Sequence, residues 1–373
     1  MGLQKRVTLF DLADALGVST GTVHRALHDH SDVSPVTKTR VLQMARTMHY
    51  RPNLAGRFLS RRRDLRISVN TLKGTTSFWD EVRAGISKEA ESLSMGSVDV
   101  EFRTSPTLNE GDEEAFDAAL KSGVDGIITF PSRPDQMRTR MRRAIRARIP
   151  VVCVSTDAPN TGRLAVVSID TMVSGSLVGD LFGRILRGRG KLAVTLSDLA
   201  ITEHAEKREA FESTLRRFYP QMSLVETIED HDIEADAYEK SRRLFRSHPD
   251  IAGLYITTEA SIPVLDAARD AGILSQLSII TTDLFPALVE HIRQGNVLAT
   301  VYQRPYTQGR MAFRLLHAFL VEGSCPAYQV TFAPHLVTRG NIDFFLQRQS
   351  LESDTGSGLA ALDAAELDGY ALG

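Results

Sequence analysis

Residues 7–27 read VTLFDLADALGVSTGTVHRAL, and this stretch decides the first part of the fold. Thr8 followed three positions later by Asp11 has the form of a capped helix start. Leu9, Leu12, Ala13 and Leu16 then recur at helical spacing. Gly17 ends that helix, because glycine takes the left-handed backbone that a helix C-terminus favours. Val18 is expected to be a buried pin. Ser19 is expected to cap a second helix from Thr20 to about Leu27, with Val23, Ala26 and Leu27 turned inward. Two helices joined by a tight glycine turn make a helix-turn-helix. Ser34 and Pro35 then open a third helix, serine as cap and proline at the first position. Its apolar stripe is Val41, Leu42, Ala45 and Met48.

The charge distribution sets this head apart from the rest of the chain. Residues 1–63 carry eleven Lys/Arg against four Asp and no Glu, a balance of +7, while the remainder carries 33 against 42, a balance of −9. A basic head on an acidic body suggests that the head alone meets a polyanion. The chain of 373 residues is 42% apolar, which suits two or three globular domains. No stretch approaches the roughly 20 unbroken apolar residues of a membrane helix. Asp11 and Asp14 interrupt the apolar run after Lys5-Arg6, so no secretory signal is expected and the protein is predicted to be cytoplasmic. The two cysteines, Cys153 and Cys325, lack a second Cys or a His at ligand spacing. They are expected to be free thiols, with neither a metal site nor a cofactor.

Beyond residue 64 the pattern becomes short apolar strands alternating with helices. Strands are predicted at 66–69, 98–102, 126–130, 150–154, 191–196, 224–227, 253–257, 277–281 and 297–302. Helices are predicted, among others, at 79–93, 169–186, 203–218, 235–247, 262–271 and 305–320. Strict alternation implies parallel sheets with helices on both faces. The cadence restarts near Lys191, so the body is read as two doubly wound lobes with a ligand cleft at the carboxyl ends of their strands. The fold class is therefore α/β: an all-α helix-turn-helix head on a two-lobed doubly wound body. The proposed limits are 1–52 for the head, 53–63 for a linker, 64–346 for the body and 347–373 for an acidic tail. The tail has five acids and no Lys or Arg from Ser350 onward, among Ser, Gly and Ala, and reads as disordered. Its leucines form no sustained heptad, so a dimer rather than a zippered tetramer is expected.

The run 7–27, together with VSPVTKTRVLQMARTMHYRPNLAGRFL at 33–59, resembles the lactose-repressor (LacI) family of transcription regulators. Gly17-Val18-Ser19, Thr22-Val23, Arg25, Val33-Ser34, Tyr50-Arg51-Pro52-Asn53 and Leu59 carry the likeness. It implies that the second helix lies in the major groove, with Thr20, Gly21 and Arg25 at base edges. Arg25 is the strongest candidate, since a guanidinium bonds guanine O6 and N7 together. Ser19, Thr22 and Ser34 would donate to phosphates, and Thr8 belongs to the same interface. His24 stands where serine is usual and contacts phosphate or base, or is simply exposed. The segment from Asn53 implies a hinge helix that folds on DNA, pairs with its twin and wedges Leu59 into the minor groove. Arg57 would neutralise phosphate there. Gly56, where alanine is common, makes that helix more dependent on its partners by about 1 kcal/mol.

The body resembles the periplasmic sugar-binding fold that accompanies such heads. The resemblance is carried by Ser77-Phe78-Trp79-Asp80, Gly123-Val124-Asp125-Gly126, Ile280-Thr281-Thr282-Asp283 and Ala299-Thr300-Val301-Tyr302-Gln303. It implies that the chain crosses between lobes near Asp170, near Thr282–Asp283 and near Pro334. Phe78 and Trp79 would stack on a sugar ring, one of the two being core. Asp157, His204, Lys207, Thr258, Ser261, Asp283 and Gln303 would supply polar contacts. Trp79, Asp283 and Gln303 are favoured among them. The implied protein is a homodimeric repressor of carbohydrate uptake or catabolism genes. It would read a near-palindromic operator under control of a sugar or polyol. A solute-binding transport protein would share the body but not the head. An enzyme is not expected, because no phosphate loop, nucleophile elbow or metal-ligand cluster is present.

Overall fold

A computed structural model describes residues 7, 9–27, 33–48, 64–73, 77–94, 98–106, 110–323 and 326–347. The head contains α1 (Leu9–Leu16), α2 (Thr20–Leu27) and α3 (Pro35–Thr47). Gly17 sits at φ +66° with nothing within 4 Å of an added Cβ, so it is the backbone conformation that calls for glycine. Thr22 N–H donates to Ser19 Oγ at 3.1 Å, and Thr37 N–H to Ser34 Oγ at 3.2 Å. Both serines are thus N-caps, as expected. Leu12, Ala13, Val23, Ala26 and Val41 meet in one buried cluster. Val18 only half-buries at its edge, and Leu42 is 39% exposed, so neither is the buried residue expected from spacing. Leu42 neighbours buried Val41 along α3, and a hundred-degree step turns it out of a core that narrow.

The body comprises two six-stranded sheets. Strands β1 (Leu65–Leu72), β2 (Val98–Ser105), β3 (Gly126–Thr129), β4 (Val151–Val154), β5 (Ala165–Ile169) and β11 (Gln329–Phe332) form the first, in the order β11-β5-β4-β3-β1-β2. The second holds β6 (Arg189–Leu196), β7 (Gln221–Glu229), β8 (Ile251–Ile256), β9 (Ser278–Thr282), β10 (Ala299–Tyr302) and β12 (His335–Val337), ordered β12-β10-β9-β8-β6-β7. Pairing is parallel from β7 through β10, and only β12 runs antiparallel, against β10. Period-two alternation feeds two cores in the second lobe. Leu254, Ile256 and Ile279 join one cluster, while Tyr255 and Ile280 join the other on the opposite face. A sheet covered on both faces makes its strands read as unbroken apolar runs.

The chain leaves the first lobe at Asp170, whose carboxylate caps α7 (Thr171–Ile185) through Val173 N–H at 2.8 Å. It returns at residues 303–304 and crosses again at residues 333–334. The second crossing is not at Thr282–Asp283 as expected. β9 and β10 pair in the same sheet, Val301 beside Thr282, so Asp283 ends a strand within the second lobe. Strands β5, β11 and β12 are not among those expected from sequence. β5 runs into α7 through a single residue, and the other two are only four and three residues long.

Two helices of the first lobe approach closely. α4 (Ser77–Ser94) meets α12 (Pro305–Glu322) across Gly85 and Gly309. A Cβ on Gly85 would lie 2.1 Å from Tyr306 O, and one on Gly309 would lie 2.1 Å from Val82 O. The fully buried Glu89 of α4 accepts from Arg310 Nε at 2.8 Å and from Arg314 Nε at 2.7 Å on α12. The glycines set the separation, and the charge-assisted bonds hold the register. Among the described residues, no helix is long and apolar enough to cross a membrane. Thr8, Asn53, Arg57, Leu59, Cys325, the linker at 53–63 and the tail beyond Gln347 lie outside the described residues, except that Asp64 begins the described body.

Candidate functional site: an interlobe cleft

The carboxyl ends of β1, β3 and β4 meet those of β8, β9 and β10 around one cavity of about 370 Å³. Phe78, Trp79 and Phe130 form an aromatic corner on the first lobe. Phe78 meets Trp79 edge-on at 4.9 Å, and Trp79 meets Phe130 at 4.6 Å. Both members of the Phe78-Trp79 pair line the cavity while remaining 7% and 6% exposed, so neither is merely core. An aromatic corner of this kind suits the C–H face of a sugar ring.

Asp283 and Gln303 face that corner from the second lobe. Gln303 donates to Asp283 twice, through its backbone N–H at 3.2 Å and its Nε2 at 2.6 Å. Its Oε1 accepts from Lys207 Nζ at 2.7 Å. Burial, with the Glu259 charge nearby, pushes the Asp283 carboxyl well above the usual range, against the pull of Lys207 and Gln303. Lys207 itself is fully buried, with its Nζ on Glu203 Oε1. Burial acts against both charges of that pair. Their mutual attraction, together with the hydrogen bonds and other charges around them, outweighs it, holding Glu203 below and Lys207 above their ordinary values. Lys207 therefore does not line the cleft as expected. It lies beneath the wall, where it holds Gln303, and Glu203 is the member of the pair that reaches the cavity.

Of the other expected ligands, His204 and Thr258 line the cavity. Burial lowers the His204 imidazole to about 4, so it is neutral at pH 7, with Nδ1 accepting from Asp198 N–H at 3.4 Å. Thr258 Oγ1 accepts from Ala260 N–H at 3.2 Å. Asp157 is not in the cavity. It is bound by Arg163, whose Nη2 lies 2.6 Å from Asp157 Oδ2 and whose guanidinium stacks 3.8 Å over the Tyr328 ring. Ser261 is wholly buried outside the cavity, its Oγ without a hydrogen-bond partner. Spacing placed both in loops after strands, and only the tertiary contacts decide which loop residue turns inward.

Sequence reasoning missed Ser155, Glu203, Thr257 and Glu259, which all line the cavity. Glu259 Oε1 accepts from Ser77 Oγ at 2.8 Å and Phe78 N–H at 3.1 Å, capping α4 of the other lobe. Ser155 Oγ donates across the cleft to Glu203 Oε2 at 2.9 Å, and Tyr302 OH to Glu81 Oε2 at 2.7 Å. These bonds join the lobes around the cavity. Of the four missed residues, only Ser155 holds a left-handed backbone, at φ 67°. Ser155 directly follows β4, and Asp283, at φ 65°, directly follows β9, while Arg304, at φ 60°, is separated from the end of β10 by Gln303.

Asp230 follows β7 beside the same cleft and is fully buried. Its Oδ1 accepts from Asp232 N–H at 3.0 Å, while Oδ2 has no partner. Burial raises its pKa from 3.8 to about 7. Between those values the native state binds the proton that the unfolded chain releases, so this group's contribution to stability falls as pH rises from about 4 to 7. Asp230→Asn is expected to gain about 1–3 kcal/mol at pH 8 and close to nothing at pH 4. Urea melts at both pH values check this, and an equal gain at both would contradict it.

In the head, the backbone of Thr20, Gly21, His24 and Arg25 forms α2, while their side chains fall outside the described part of the structure. Ser19 Oγ and Thr22 Oγ1 lie 2.9 Å apart at the start of that helix, on an exposed surface.

The comparisons with known proteins divide at the same place. The family described as bacterial regulatory proteins, lacI family, matches residues 8–53. The family described as periplasmic binding protein domain matches residues 67–324. Catabolite control protein A of Staphylococcus epidermidis is 25% identical over 320 residues, covering 84% of this chain and 92% of that protein. The protein of the same name from Staphylococcus xylosus is 25% identical over 350 residues, covering 90% and 98%. Among solved structures, a glucose-galactose binding protein from Geobacillus stearothermophilus superposes with TM-score 0.70 at 24% identity, covering 75% of this chain and 99% of that one. The fructose binding periplasmic domain of a hybrid two component system gives TM-score 0.73 at 20% identity, covering 81% and 99%. Those two likenesses establish the fold of the body. The family matches go further: this chain belongs to the periplasmic binding protein domain family and, through its head, to the bacterial regulatory proteins of the lacI family.

Proposed function

We propose that the protein is a DNA-binding repressor of carbohydrate genes, controlled by a small polyhydroxylated effector in the interlobe cleft. The observation that carries this reading is the joining of a helix-turn-helix head of the lacI family to a two-lobed body whose cleft combines an aromatic corner with Asp283 and Gln303. Two copies would grip a near-palindromic operator, since a symmetric dimer meets matched half-sites. Arg25 would read base edges, and Ser19, Thr22 and Ser34 would set register on phosphates while capping their helices. Leu59 would wedge the minor groove at the operator centre. The effector acts by binding two lobe arrangements with different affinity, a coupling of typically about 1–3 kcal/mol. The bonds of Glu259 to α4 and of Tyr302 to Glu81 are contacts that such a rearrangement would break or remake.

Leu59→Ala is expected to weaken operator binding by about tenfold or more while leaving effector affinity intact. Asp283→Ala is expected to abolish the effector response while leaving operator binding intact. Gel-shift titrations at fixed salt, with natural promoter fragments and random duplex as competitor, measure both. Failure to prefer any natural promoter fragment over random duplex, with and without candidate sugars, would overturn the reading.

A further inference from the structure

The cleft is acidic, and the helix N-terminus beside its aromatic corner is already taken. Glu110, Asp232, Glu259 and Asp283 line it beside a single lysine, Lys73. Glu203 lines it too, but the buried Lys207 already balances its charge. Among the described residues no arginine lines the cavity; of its two histidines, His204 is neutral at pH 7 and His231 has its Nδ1 3.9 Å from Asp198 Oδ2. A phosphate or carboxylate ligand is normally held by arginine, lysine or a helix N-terminus. Here the N-terminus of α4 faces the cleft, but its Ser77 hydroxyl and Phe78 amide donate to Glu259. The protein's own carboxylate occupies the place an anion would take.

A cation meets the opposite conditions. Asp283 is 4% exposed and opens on the cavity. Thr257 is 1% exposed, also lines the cavity, and its Oγ1 has no hydrogen-bond partner in the protein. An unpaired buried hydroxyl is costly unless a ligand supplies the bond. Phe78, Trp79 and Phe130 line the cavity, and aromatic rings attract cations as well as C–H groups. The Asp283 carboxyl is raised by burial and by the Glu259 charge, a cost that a positive group between them relieves.

We propose that the cleft takes an amine-bearing polyhydroxylated ligand, an amino sugar or amino polyol protonated at neutral pH, and discriminates against sugar phosphates. The ammonium sits against the carboxylates of Asp283 and Glu259, the carbon skeleton lies on the aromatic corner, and Thr257 Oγ1 completes a hydroxyl or amine contact. This inference rests on the carbohydrate reading of the site and narrows its ligand class.

The test is calorimetric titration of the full chain with matched sets. These are D-glucosamine, D-glucose and D-glucose 6-phosphate, the corresponding galactose set, and D-glucamine with sorbitol. In at least one set the amine is expected to bind about tenfold tighter than its neutral parent, with no detectable phosphate binding. Asp283→Asn and Glu259→Gln keep shape and remove charge, and at least one is expected to bring the amine preference close to parity. Melting temperatures report whether each variant is folded. A neutral parent or phosphate binding as tightly as the amine in every set that binds overturns this inference and leaves the carbohydrate reading standing. So does an amine preference unchanged in both variants. No binding by any member of any set overturns the carbohydrate reading and this inference with it.

Discussion

Lys207→Met is expected to cost about 3–5 kcal/mol of folding stability, because it removes the counter-charge of a buried carboxylate. Lys207 is fully buried and Glu203, although it reaches the cavity, is only 7% exposed, so water replaces little of the lost partner. Methionine fills a similar volume, which keeps a cavity from being the cause. The substitution also removes the donor at 2.7 Å that holds Gln303 Oε1, so Gln303 loses one of its anchors in the cleft wall. Urea denaturation at pH 7.5 gives the stability change. The double variant Glu203→Gln with Lys207→Met is expected to recover most of the loss, since a neutral amide does not need a counter-charge. A single variant within about 1 kcal/mol of the parent protein would show that Glu203 is solvated or protonated when alone.

Gly309→Ala is expected to cost about 3 kcal/mol, toward the upper end of what overpacking usually costs. The added Cβ would sit 2.1 Å from Val82 O, a backbone atom that cannot rotate away. Helices α4 and α12 must separate, and the bonds of Glu89 to Arg310 and Arg314 stretch with them. Because α4 carries Phe78 and Trp79 at its first turn, the displacement reaches the aromatic corner, and effector affinity is expected to fall as well. Gly17→Ala provides the contrast. Nothing lies within 4 Å of its Cβ, so only the left-handed backbone is strained, at about 1 kcal/mol. A Gly309→Ala protein melting at the same temperature as the parent would mean that the two helices slide freely past each other.

Much of the architecture is legible in the order of residues. The head is readable because each of its boundaries is chemical and local: Gly17 for a left-handed turn, Ser19 and Ser34 for caps, Pro35 for a first turn. The sheets are readable because burial on both faces leaves apolar runs such as Val151-Val152-Cys153-Val154. Asp283, Gln303 and the Phe78-Trp79 pair are reached only through likeness to a family, and they do meet at one cavity. Asp157, Lys207 and Ser261 come by the same route and lie outside its lining. No periodicity tells a carboxylate that faces a ligand from one that faces Arg163.

The sequence by itself determined most of the local elements of this protein, the short strands β5, β11 and β12 excepted: which segments coil, which extend, and where caps and glycines stop them. Those choices depend on backbone and nearest-neighbour energies, which are written within a few residues of each position. The tertiary structure alone decided where the chain changes lobes, which acid balances which base, and which carboxylate occupies the helix terminus in the cleft. Glu259 and Ser77 are far apart along the chain, as are Lys207 and Gln303. Only the folded packing brings these polar and charged groups into the same low-dielectric space, where pairing decides what each group can do.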